Sequence, residues 1–307
     1  MSPLIEALAP TFLLIVIGWW IRRAQFVPDA FWPPAERLIY FVLFPALLVS
    51  STAKADLAGL DLPAIGGAMF LAVVLATALP ILMRGRVAAD GPALTSVIQG
   101  AIRPNTYVGL AACAALYGTS GTAIMAIGIV AVIPTVNAIS VFALIRWGSG
   151  EKTGSGLSRV VKGIVTNPLI LAVSAGAVLN AVGVHRIPVA TPLMDVLGAA
   201  SLPLGLLAVG AGLDLKALGA SARGIAWSAA YKLVAVPGLT AAFALAFGVT
   251  GLPLAVALLY NALPCSANSY VLARQLGGDH RLMAGIITAQ TLLAVATLPL
   301  VVLLTTP

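Results

Sequence analysis

Apolar residues run through this chain in blocks of about twenty, separated by short polar connections and with few charges inside them. Ten such blocks can be drawn, at 4–22, 35–53, 62–83, 92–117, 122–146, 165–184, 191–213, 223–247, 252–276 and 282–304. A helix of ~20 apolar residues matches a ~30 Å hydrocarbon core, so the pattern predicts an all-α membrane protein with ten transmembrane helices. Two of the blocks are broken. The fourth is interrupted by Arg103-Pro104-Asn105-Thr106-Tyr107, and the ninth by Leu263-Pro264-Cys265-Ser266-Ala267-Asn268-Ser269-Tyr270. Proline removes a helical N–H and frees a carbonyl one turn earlier. In hydrocarbon such groups cost several kcal/mol each unless protein or a water-lined cavity satisfies them. Broken helices in matching places of two halves point to the binding site of a secondary transporter.

Composition strengthens this reading. Of 307 residues 60% are hydrophobic and 9% charged, against ~45–50% and ~25% in soluble domains. The N-terminus, Met1-Ser2-Pro3-Leu4, lacks the basic stretch of a cleaved signal peptide, so the first span is expected to be retained. Cys113 and Cys265 both fall inside predicted spans, which argues against a disulfide framework and a Cys-rich metal site. The net charge of +7 is explained by its placement rather than by nucleic acid as partner. Of the 17 Lys and Arg, thirteen lie in or beside alternate connections (Arg22, Arg23, Arg37; Arg84, Arg86; Arg146, Lys152, Arg159, Lys162; Lys216, Arg223; Arg274, Arg281). The opposite connections hold only Lys54 and Arg186. Positive charge stays cytoplasmic, so both termini are expected on the periplasmic side of a bacterial inner membrane. Arg103 and Lys232 lie within spans.

The Gly/Ser-rich stretch 148–158 reads as a flexible cytoplasmic linker. It divides the chain into a first five-helix repeat, 1–146, a linker, 147–164, and a second repeat, 165–307. At an offset of 158, Pro10 meets Pro168, Gly18 meets Gly176, Pro45 meets Pro203, Leu48 meets Leu206, Ala53 meets Ala211, Asp56 meets Asp214 and Leu57 meets Leu215. An odd number of spans per repeat inverts the second copy, the arrangement of alternating-access carriers. The broken helices align less cleanly. Asn-Thr-Tyr-Val at 105–108 matches Asn-Ser-Tyr-Val at 268–271 with an offset of 163, whereas Pro104 and Pro264 differ by 160. The prolines are expected to mark the two breaks.

At Arg-Pro-Asn-Thr-Tyr-Val-Gly-Leu (103–110), Thr-Asn-Pro-Leu-Ile-Leu-Ala (166–172) and Ala-Leu-Pro-Cys-Ser-Ala-Asn-Ser-Tyr-Val-Leu-Ala (262–273) the chain resembles the auxin efflux carrier family of plant auxin carriers and bacterial organic-acid permeases. The resemblance covers essentially the whole chain. It implies a fold like that of sodium/bile-acid symporters or NhaA, with a scaffold of spans 1, 2, 6 and 7 and a transport domain of spans 3–5 and 8–10. It further implies that spans four and nine cross at the midplane with Pro104 and Pro264 at the crossing and substrate beside it. The short linker suits a bacterial member.

The residues at the breaks suggest the chemistry. The positive end of a half-helix dipole, about half an elementary charge, would lie near the midplane. Asn105 and Asn268 there either contact a ligand or satisfy freed backbone groups. Arg103 either binds substrate or snorkels and caps carbonyls. Lys232 lies nine residues from Arg223, near the midplane, and either approaches substrate or tethers the crossing. Asn137, in the polar break Pro134-Thr135-Val136-Asn137, faces the site or a neighbouring helix. Ser50 lines a cavity or joins helices, and Ser266 allows close approach or simply packs. No carboxylate falls at the centre of a span, which argues against a proton relay of that kind; Na⁺ or H⁺ coupling stays open, as does a homodimer. The reading is a carrier of a small organic anion, a mono- or dicarboxylate that is auxin-like or malate/malonate-like, working by elevator-type alternating access with no cofactor and no enzymatic activity. The alternatives are a sodium-coupled symporter of the bile-acid or arsenite-resistance type and, remotely, an intramembrane serine protease at Gly118-Thr119-Ser120-Gly121.

Overall fold

In the computed structural model the described residues are 3–56, 59–150, 162 and 165–305. They are helical, with a single isolated bridge and no strand among them. Leu57 and most of the 148–158 linker lie outside the described residues. The helices are α1 (Pro3–Arg23), α2 (Asp29–Ala53), α3 (Leu62–Leu82), α4 (Gly91–Ile102), α5 (Thr106–Trp147), α6 (Pro168–Ala181), α7 (Ala190–Ala211), α8 (Ala222–Ala246), α9 (Gly251–Asn261), α10 (Asn268–Leu276) and α11 (His280–Thr305). Six of them, α2, α3, α5, α7, α8 and α11, are long and apolar enough to cross a membrane. α6 and α9 are shorter apolar helices.

Two segments expected as one span each are split. α4 and α5 are separated by extended backbone at Arg103, and α9 and α10 by the residues around Pro264. The link expected at 118–121 falls where α5 breaks into two helical stretches at Gly118, whose φ of +60° is open to glycine at little cost. A Cβ on Gly121 would lie 3.3 Å from the Cys113 carbonyl oxygen, so the second stretch doubles back on the first. α2 and α8 each contain a π-helical turn just before a proline: Ile39–Leu43 before Pro45, and Tyr231–Ala235 before Pro237. The missing proline N–H removes one rung of the ladder and lets the chain insert an extra residue.

The chain forms two compact units. Unit one comprises residues 1–60, 107–130 and 164–212. Its helices approach closely through glycines. A Cβ on Gly18 of α1 would fall 2.1 Å from the Leu207 carbonyl oxygen of α7, and one on Gly176 of α6 2.9 Å from the Val49 carbonyl oxygen of α2. Small residues let membrane helices approach to backbone contact, where apolar surface alone gives little drive for association. Phe44 and Tyr107, the latter at the start of the 107–130 stretch, stack with ring centroids 4.7 Å apart. The end of α2 is held by Asn180, which donates to the carbonyls of Ala53 and Ala55 at 3.1 and 2.7 Å.

Unit two comprises residues 61–106, 131–163 and 213–307. Asn261 of α9 donates to Thr240 of α8 at 2.7 Å and to the Met69 carbonyl of α3 at 3.3 Å. The acidic side chains Asp61, Asp90, Asp214 and Asp279 of this unit each accept a backbone N–H at the start of a helical segment. They act as N-caps at helix ends.

Candidate functional site

The two breaks meet within unit two. Pro104 faces Cys265 in an antiparallel bridge. The Asn105 amide donates to the Pro264 carbonyl at 2.8 Å, and the Ser266 amide to the Arg103 carbonyl at 3.2 Å. This is the widely spaced type of antiparallel pair, in which the two facing residues exchange no hydrogen bonds. Pro104 therefore sits where a strand pair requires no N–H of it. The Cys265 N–H, turned away from the pair, finds Gln290 of α11 instead, with Oε1 at 2.9 Å. Gln290 Nε2 then donates to the Gly100 carbonyl at 3.0 Å, one of the last carbonyls of α4, and to Ser228 Oγ at 3.1 Å. One carboxamide thus satisfies a backbone donor of one break and a backbone acceptor of the other, as buried backbone polar groups require.

Helices α5 and α10 both begin directly after this crossing, so two half-helix N-termini start from one place in the sequence-paired breaks. Asn105 precedes α5 and is buried, 2% exposed; Asn268 is the first residue of α10 and is exposed. The two asparagines are not facing partners in the bridge. Ser266 is half-buried at its edge.

Arg103 is buried and does not reach out of the bundle. Its Nη1 donates to Asn137 Oδ1 of α5 at 2.8 Å and lies 3.4 Å from Ser140 Oγ. Ser140 in turn donates to the Val136 carbonyl. Asn137 is therefore placed against Arg103, and charge-assisted bonds to neutral oxygens hold the guanidinium beside the break.

Lys232 sits in the π-turn of α8 and is 0% exposed. Among the described residues its Nζ has no hydrogen-bond partner. Lys232 and Arg103 both interact electrostatically with Cys265 of the crossing. Ser50 belongs to unit one, where its hydroxyl donates to Asp195, itself paired with Lys54 at 2.7 Å. Ser50 and Arg103 therefore fall in different clusters.

Sequence reasoning passed over Gln99 and Gln290. Gln99 is 0% exposed, and both atoms of its carboxamide are without a hydrogen-bond partner among the described residues. The signal was present: each is an uncharged amide at the middle of an apolar block, in Val97-Ile98-Gln99-Gly100 and Thr288-Ala289-Gln290-Thr291. Such residues in hydrocarbon face protein or a polar cavity. No group of acidic, His or Cys side chains suited to a metal ion occurs among the described residues.

Comparison with known proteins agrees with the geometry. A protein of Methanothermobacter thermautotrophicus named as an uncharacterized transporter is 22% identical over 297 residues, 96% of each chain. The family described as Membrane transport protein matches residues 3–302. With that match over nearly its whole length, the chain belongs to this membrane transport family, the auxin efflux carrier family whose motifs it bears at 103–110 and 262–273.

Proposed function

We propose that this protein is a secondary transporter that moves a small organic anion, a mono- or dicarboxylate, by elevator-type alternating access. The observation that carries the reading is the crossing in unit two: two half-helices start there, and the same unit buries Arg103 and Lys232. Each half-helix N-terminus contributes about half a positive charge. Arg103 adds a guanidinium bonded to neutral oxygens. Lys232 adds an ammonium that no described carboxylate balances, since the four described carboxylates of the unit cap helices. At an effective dielectric of ~20, two unit charges 4 Å apart attract by ~4 kcal/mol, enough to offset much of a carboxylate's desolvation. The proposed site comprises Asn105, Asn268, Arg103, Asn137, Ser266 and Lys232 around Pro104 and Pro264. Ser50 would line the scaffold.

The elevator mechanism and the inverted repeat belong to the same proposal. Gly18 rests on Leu207 and Gly176 on Val49, and both pairs are related by the offset of 158 that aligns the two halves. A two-fold operation exchanging the halves would produce this reciprocity. The thirteen-to-two distribution of Lys and Arg supports periplasmic termini in a bacterial inner membrane. Lacking a central carboxylate, an export carrier could run on the membrane potential alone, at ~2.3 kcal/mol per charge per 100 mV.

The test is current measurement on proteoliposomes adsorbed to a solid support. Mono- and dicarboxylates are added with and without Na⁺ and pH gradients. Currents evoked by carboxylates and absent with neutral analogues are expected. Transport of cations or neutral solutes only, with no response to any carboxylate, overturns the anion reading. Currents strictly dependent on Na⁺ would favour the symporter alternative.

A further inference from the structure

Unit two also carries an apolar groove of about 400 Å³ that takes no part in the crossing. Its lining includes Val74 and Ile81 of α3, Ile98 of α4, and Ala138, Phe142 and Trp147 of α5. Ile98 forms a fully buried floor, while Val74 and Phe142 stand 41% and 64% exposed at the rim. Along α3 and α5 the lining extends seven and nine residues, about 10 to 14 Å at 1.5 Å per residue. That is close to half of a ~30 Å hydrocarbon core, the depth of one leaflet.

The two ends of the groove differ in charge. Beyond Ile81, one turn on, stand the exposed Arg84 and Arg86. Beside Trp147 stands the exposed Arg146, with its guanidinium carbon 5.8 Å from the indole centroid. Arg223 donates to the Gly85 carbonyl at 3.3 Å and brings a fourth guanidinium to the same end. Asp90 is at this end too, but its carboxylate is engaged in capping α4 through the Ala93 N–H. Tryptophan at a helix end marks the interface with headgroups, and basic pockets between membrane helices suit anionic headgroups.

We propose that this groove binds an anionic phospholipid, one acyl chain lying between α3 and α5 and the phosphate held by Arg146 with Arg84 and Arg86. Arginine forks match phosphate oxygens in pairs. The chain region has the depth of one leaflet and the basic region lies where a headgroup would be, so a single molecule satisfies both.

The experiment uses the full chain in detergent, with retention of added phosphatidylglycerol and of phosphatidylcholine read by native mass spectrometry and by the shift in melting temperature. Phosphatidylglycerol should be retained and raise the melting temperature, and phosphatidylcholine should do neither to the same degree. Arg146→Gln should weaken retention about fivefold, the worth of one basic residue near an anionic surface. Ala138→Phe, which fills the groove without touching a charge, should weaken retention while leaving the melting temperature of the lipid-free protein unchanged. Arg37→Gln, an exposed arginine of unit one, should have no effect on either. Equal retention of both lipids, or full retention by Arg146→Gln and Ala138→Phe, overturns the proposal. So does a change of oligomeric state in Ala138→Phe with lipid retention intact, since the groove would then be a contact between copies.

Discussion

Gln290 Oε1 accepts the backbone N–H of Cys265 at 2.9 Å, and through this bond a side chain of α11 completes the bridge between the two broken helices. The same carboxamide donates to the carbonyl of Gly100. In Gln290→Met, which keeps the volume, a buried donor and a buried acceptor lose their partners together. Each costs about 1–3 kcal/mol, so the variant should lose about 2–6 kcal/mol of stability. Thermal unfolding of purified protein measures this. An unchanged melting temperature would mean that the crossing holds without Gln290.

A second prediction follows from the close approach of helices in unit one. A Cβ on Gly18 would lie 2.1 Å from a backbone oxygen, whereas on Gly176 it would meet side-chain carbon at 2.8 Å and backbone oxygen at 2.9 Å. Overpacking costs typically about 1–3 kcal/mol, and the approach at Gly18 is the tighter of the two. Gly18→Ala should therefore destabilise by about 3 kcal/mol or more, and Gly176→Ala by about half as much. Melting temperatures in the order wild type, Gly176→Ala, Gly18→Ala are expected. The reverse order would show that α1 shifts away from α7 without loss.

Much of this molecule was legible in its sequence, and what escaped has identifiable reasons. The breaks were found because proline and asparagine inside an apolar run announce freed backbone groups, whatever the fold. Their pairing was not. The motifs suggested an offset of 163 and the prolines one of 160, while the bridge sets Pro104 against Cys265. Register in an antiparallel pair is decided by which residue can dispense with its ladder bonds, and proline was suited to that place. Asn137 had two readings because a helical position does not reveal its neighbour; Arg103 bonds it at 2.8 Å. Gln99 and Gln290 were passed over because an uncharged amide weighs little in a hydropathy window. The Gly-rich 118–121 stretch read as a link between spans, and there the chain turns at one glycine with positive φ.

The distribution of basic residues predicts sidedness. Gly85 lies in an arginine-bearing connection, is exposed, and has nothing within 4 Å of an added Cβ. Arg186 is exposed in an opposite connection. Native Cys113 and Cys265 are buried and provide a quiet background. In right-side-out membrane vesicles an impermeant maleimide should label Arg186→Cys at once and Gly85→Cys only after permeabilisation. The opposite pattern would place the termini in the cytoplasm and reverse the assigned orientation.

The most discriminating prediction concerns Lys232. An ammonium that is 0% exposed, with no hydrogen-bond partner among the described residues, is a burden on the fold. Replacing even a buried ion pair with well-packed apolar groups of similar volume is often neutral or stabilising by about 1–4 kcal/mol, and a buried amine with no partner compensates its desolvation less. If Lys232 is retained to raise the potential at the crossing, Lys232→Met should melt at a higher temperature than wild type in the absence of substrate. It should also lose most of its carboxylate-evoked current. A lysine kept for structure behaves otherwise, since its loss would lower the melting temperature and leave transport reduced only in proportion to folded protein. Functional residues that oppose stability are a recurring cost of active sites. Arg103→Met offers the contrast, because its guanidinium bonds Asn137 and its loss should reduce both stability and current. Melting curves and currents on the same preparations of the two variants separate the roles. A stabilised Lys232→Met protein with undiminished anion currents would remove Lys232 from the mechanism and leave Arg103 and the half-helix N-termini to attract the substrate.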